Sequence, residues 1–121
     1  MIETLIYGLM STLANSLVPI ENSNFTRAEL GIIAENMGND MTLRMSPKGN
    51  PILTNRNTSG NNVIFVFYKK EGGIIIRRRL GYDNPFGSGN ILNGGKPFLN
   101  IADAMQYFKA YKAKYPNSII G

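Results

Sequence analysis

The chain of 121 residues contains no cysteine and no histidine. The first absence excludes disulfides and thiolate-bound zinc, and the second removes the commonest general base together with the commonest metal ligand. Acidic residues are also few, eight against thirteen Lys and Arg, and they form no D-x-D or E-x-x-E cluster suited to a divalent metal. A serine nucleophile would have no histidine to activate it. These absences lead to the expectation of a non-enzymatic protein with no cofactor and no metal.

Long hydrophobic runs are missing as well. The most apolar segment, IETLIYGLMSTLANSL (residues 2 to 17), lacks a basic leading region. As a helix it would span about 24 Å, short of the roughly 30 Å hydrocarbon core of a membrane. A soluble, cytoplasmic protein with no membrane partner is expected. The length suits one domain over residues 1–121, with enough chain to bury a core without staples.

What charge there is lies unevenly. Residues 1 to 40 hold one basic side chain, Arg27, and five acidic ones, for a net charge of −4. Residues 41 to 121 hold the other twelve basic side chains against Glu71, Asp83 and Asp103, a net of +9. The acidic part reads as helical and the basic part as a sheet followed by a helix. Such asymmetry points to a polyanionic partner for the second part.

In the first part Ile2, Leu5, Ile6, Leu9, Leu13 and Leu17 recur at helical spacing. The opposite face is nearly uncharged, which suggests a homodimer contact through the Ile2–Leu17 helix. Pro19 ends it. A second helix opens in SNFTRAELGIIAENMG, with Thr26 and Glu29 as a capping box and Gly38 as terminator. A helix-turn-helix reading of this region fails, because a recognition helix from Asp40 would meet Ser46, Pro47 and Gly49 within two turns.

From residue 41 the period shortens to two. Met41, Leu43 and Met45 alternate with polar residues, SPKGNP is a turn, ILT is a returning strand, and NRNTSGNN (55 to 62) is a polar loop. NVIFVFYKK and IIIRRRLGY form a hairpin through EGG. Residues 81 to 98 are a Gly/Asn/Pro-rich loop. A last helix starts with Asn100 as N-cap and Asp103 at N3 and runs to Tyr115 and Pro116, with Ile101, Ala104, Met105, Phe108 and Tyr111 inward. The expected fold class is α+β: two N-terminal helices, an antiparallel sheet of about four strands, and a C-terminal helix packed on the sheet.

The hairpin sets Ile74, Ile75 and Ile76 directly against Arg77, Arg78 and Arg79. In a strand neither triplet can face one way. With a two-residue turn, Val63, Phe65, Phe67, Ile74, Ile76 and Leu80 share a core face that also carries Arg78. Ile64, Val66, Tyr68, Ile75, Arg77 and Arg79 share the other face. A three-residue turn would bury two guanidinium groups instead of one, which is far more costly. Tyr68 beside Arg77 and Arg79 then offers cations for phosphates and planar groups for bases, with Lys69, Lys70 and Lys96 extending the patch. GSGNILNGGKP is not a P-loop, because Asn90 stands where the first glycine belongs and Pro97 follows the lysine.

Residues 62 to 108 resemble the single-stranded-DNA-binding module of the positive-cofactor-four type of transcriptional coactivator: a strand, GGIIIRRR, a glycine-rich stretch, then GKPFLN leading into a helix. The strand-strand-helix order is similar also to the small plant-type and integrase-type DNA-binding domains. Both resemblances imply a sheet-borne nucleic-acid interface, and neither assigns a role to a particular residue here. The leading expectation is a protein that binds single-stranded or weakly specified nucleic acid through Tyr68, Lys69, Lys70, Arg77, Arg79 and Lys96. The alternative is a small virus- or plasmid-like inhibitor or adaptor whose basic face docks on an acidic or nucleic-acid-handling protein.

Overall fold

The computed structural model describes residues 23–56, 63–80 and 90–120. Helix α1 (Arg27–Asn36) is followed by strands β1 (Met41–Met45), β2 (Pro51–Asn55), β3 (Val63–Lys70) and β4 (Gly73–Leu80), then by helices α2 (Ile101–Lys114) and α3 (Pro116–Ile120). The strands form one antiparallel sheet in sequence order. The α+β class is therefore as the residue pattern implies. The expected helix over 2–17, and the dimer contact assigned to it, lie outside the described residues.

Local chemistry explains the boundaries. Thr26 accepts from the Glu29 amide at 3.1 Å while Glu29 Oε1 accepts from the Thr26 amide at 2.9 Å, a reciprocal capping box that starts α1. Gly38, at φ +95°, supplies the left-handed residue that ends it. Asn100 caps α2 by accepting from the Asp103 amide at 2.9 Å. Pro116 halts α2 but opens α3, since a first-turn residue needs no amide donor. That short helix was absent from the sequence-based expectation.

The inner sheet face meets all three helices in one core. Leu43, Leu53, Phe65, Phe67 and Ile76 from the strands pack with Leu30, Ile33, Met105, Phe108 and Ile119 from the helices. Phe108 sets its ring edge-on to Phe65 at 5.0 Å and to Phe67 at 6.3 Å. The two longer helices are also tied at their ends. Lys112 Nζ donates to Asp40 Oδ1 at 2.6 Å and to the Met37 carbonyl at 2.8 Å, so an α2 lysine closes the C-terminus of α1. No helix among the described residues is long and apolar enough to cross a membrane.

Part of the glycine-rich stretch expected to be a loop is a strap along β4. Phe98 exchanges backbone hydrogen bonds with Ile74 at 2.9 and 2.7 Å, and Arg78 N donates to Asn90 O at 2.9 Å. Between these points the chain turns at Leu92–Gly95, where Asn93 and Gly94 take φ of 60° and 64°. The strap covers the edge of β4 that would otherwise expose unpaired amides and carbonyls. Its close approach requires Gly73: a Cβ there would lie 2.0 Å from the Phe98 carbonyl oxygen. Residues 81–89 lie outside the described residues.

Candidate nucleic-acid interface

The β3–β4 register settles the arginine triplet. Phe65 pairs with Arg78, Val66 with Arg77 and Ile64 with Arg79, while Lys70 pairs with Gly73 across a two-residue turn. Directly paired residues share a face, so Arg77 and Arg79 project to the outer face with Tyr68, and Arg78 to the inner one. Among the described residues no carboxylate pairs with Arg78. Its Nε donates to the Ser118 carbonyl in α3 at 3.0 Å, and its side chain is half-buried. A backbone carbonyl near the end of a helix is a suitable acceptor for a cation.

Across the outer face the registers align Arg44, Ile52, Val66 and Arg77 in one row, and Thr42, Thr54, Ile64 and Arg79 in the next. The apolar centre is closed: Ile52, Ile64, Val66 and Ile75 are 2–6 % exposed. Tyr68, half-buried, packs against this cluster instead of lying on an open platform. Four adjacent branched side chains make a patch too apolar to leave in water. What remains accessible is a rim: Arg44 and Lys70 are exposed, and Arg77 and Arg79 are half-buried. The Arg77 guanidinium carbon lies 5.8 Å from the Tyr68 ring centroid, within cation–π range. Its Nε is buried without a hydrogen-bond partner among the described residues.

The six residues singled out from sequence therefore divide. Tyr68, Lys70, Arg77 and Arg79 share the outer face. Lys69 lies on the inner side, where its Nζ is 2.6 Å from Glu29 Oε2 and 4.9 Å from the Phe25 ring centroid. Burial pushes the Glu29 carboxyl up, but the Lys69 ammonium and the hydrogen bonds from Lys69 and Thr26 outweigh it, so the group titrates below its ordinary value of 4.5. Lys96 is exposed on the strap, between the Ile91 contact with Arg77 and the Phe98 contact with Ile74. Arg44 was not among the six. The alternation in MTLRM puts it outward, so it was legible once β1 had been given a face.

None of the four strands carries an aspartate or glutamate. The strands themselves thus place no negative charge beside the outer-face arginines. Among the described residues there is no group of three acidic, histidine or cysteine side chains that could hold a metal. Compared with known proteins, the chain matches no protein-family model, no curated protein and no solved structure.

Proposed function

We propose that this is a non-enzymatic, cytoplasmic nucleic-acid-binding protein that takes single-stranded or weakly specified sequence on the rim of its outer sheet face. The observation that carries the reading is a sheet with arginines on both sides of its outer face and no carboxylate in any strand. Arg77 and Arg79 meet phosphates, with Lys70 and Arg44 extending the track. Arginine suits this task because its planar fork matches two phosphate oxygens at once. Tyr68 holds the Arg77 guanidinium in place, which reduces the ordering cost on binding.

A salt series with a fluorescent oligonucleotide tests this. Four phosphate contacts on a single strand give a slope of log K against log salt of about −3. Absence of binding at low salt removes the proposal. One observation favours a protein partner instead: Leu80, at the end of β4 on the same inner face as Arg78, is 55 % exposed. An apolar side chain beside cations suits an adaptor or inhibitor, of the virus- or plasmid-like kind, docking on an acidic or nucleic-acid-handling protein. That reading gains if no oligonucleotide binds.

A further inference from the structure

Helix α2 carries Tyr107 and Tyr111 one turn apart, and Tyr115 caps its C-terminus four residues further on. Tyr107 and Tyr111 stack at 6.5 Å with 22° between their planes, whereas Tyr111 and Tyr115 touch at 5.1 Å with their planes tilted by 52°. The first two help close the core: both pack against it, and Tyr107 Oη accepts from the Asn93 amide at 3.1 Å. Tyr115 has no such explanation. It is 46 % exposed, braced by Tyr111 on one side and by Lys114, whose Nζ lies 5.4 Å from its ring centroid.

The charge at the C-terminal end of the row is mainly positive, although Lys112 is paired with Asp40. Beyond Asp103 in the first turn, α2 carries Lys109, Lys112 and Lys114 and no carboxylate. Arg78 belongs to the same neighbourhood: it pairs with Phe65, whose ring meets Tyr111 at 6.0 Å, and its Nε reaches Ser118, whose amide donates to the Tyr115 carbonyl at 3.0 Å.

We infer that Tyr115, backed by Tyr111, forms with Lys114 and Arg78 a stacking site for single-stranded nucleic acid on the helical side of the sheet. The inference rests on the nucleic-acid reading above and adds to it a strand-state preference. One strand of a duplex advances about 3.4 Å per nucleotide along its axis. A base reaches the open face of Tyr115 only when it has left its own stack, which a single strand permits and a duplex resists. Bases stack on the exposed ring surface, and the lysine and arginine take the flanking phosphates.

The test uses the whole chain and an oligothymidylate of about 12 nucleotides, alone or annealed to its complement. The chain has no tryptophan, so its emission comes from six tyrosines, and the part of the quenching that Tyr115→Phe removes belongs to Tyr115. The expected result is quenching by the single strand, with Tyr115→Ala weakening single-strand binding roughly 5- to 150-fold, sparing duplex binding, and Tyr115→Phe restoring it. If Tyr115→Ala binds the single strand as the parent does, or loses both strand states equally, the inference falls. In the first case, loss of binding in Arg77→Ala with Arg79→Ala leaves the outer-face proposal standing. If the parent chain binds neither strand state, both fall together.

Discussion

Replacing Gly73 by alanine should detach the strap, and the size of the effect follows from the geometry. The new Cβ would stand 2.0 Å from the Phe98 carbonyl oxygen and 3.0 Å from its carbon, both backbone atoms that cannot swing aside. Relief requires breaking the two Ile74–Phe98 hydrogen bonds, worth about 1 to 3 kcal/mol together. Alanine held at φ +156° by the hairpin turn costs roughly 1 to 3 kcal/mol more. The total is about 2 to 6 kcal/mol, a fall in Tm of about 10 °C or more for a chain of this size. Gly72 is the control: its φ is +85°, but an added Cβ meets nothing within 4 Å, so Gly72→Ala carries only about 1 to 2 kcal/mol of backbone strain. Thermal melts followed by circular dichroism compare the two, and amide exchange at Ile74 and Phe98 locates the loss. Equal destabilisation by both alanines would refute the close-approach argument.

Two further perturbations address the partners of Lys69 and Arg78. Because the folded Glu29 carboxyl titrates below 4.5, its contribution is present above that pH and disappears as pH falls through the folded value. Glu29→Gln keeps an acceptor for the Thr26 amide but loses the charge, so its deficit, about 1 kcal/mol or less given the exposure of Lys69, should be present at pH 7 and vanish as the pH falls through the folded value. Denaturant midpoints across that range check this, and a deficit independent of pH would contradict it. Arg78→Leu removes a charge-assisted bond to Ser118 worth about 1.5 to 3 kcal/mol. Amide exchange in α3 should accelerate well before that of the Phe65 strand; unchanged exchange at Ile119 would mean that Arg78 does not anchor the helix.

The hairpin faces were legible because one register buries a single guanidinium and the other buries two, an energetic difference that needs no structure to evaluate. Both capping motifs were legible for a similar reason: Thr26–Glu29 and Asn100–Asp103 are local, and each satisfies amides within one turn. The partner of Arg78 was not, because Ser118 is 40 residues away on a helix that begins at a residue read as a terminator. The strap was missed because its bonds are backbone bonds, invisible in side-chain pattern, and its one sequence trace is the glycine at 73. Lys69 was grouped with the outer patch by adjacency to Tyr68 and Lys70. Carrying the alternation one residue further would have sent it inward to Glu29. Tyr107 and Tyr115 were overlooked although their four-residue spacing from Tyr111 is plain, because the apolar stripe of α2 was followed only to its core-facing side.

The central claim is that phosphates bind the cationic rim of the outer face. The most direct measurement is the salt dependence of single-strand oligonucleotide affinity for the parent chain and for Arg77→Ala with Arg79→Ala. The account predicts a slope of about −3 for the parent, reduced by about 1.4 in the double variant together with a large loss of affinity at low salt. Equal slopes and affinities for the two proteins, with the fold intact by circular dichroism, would contradict it.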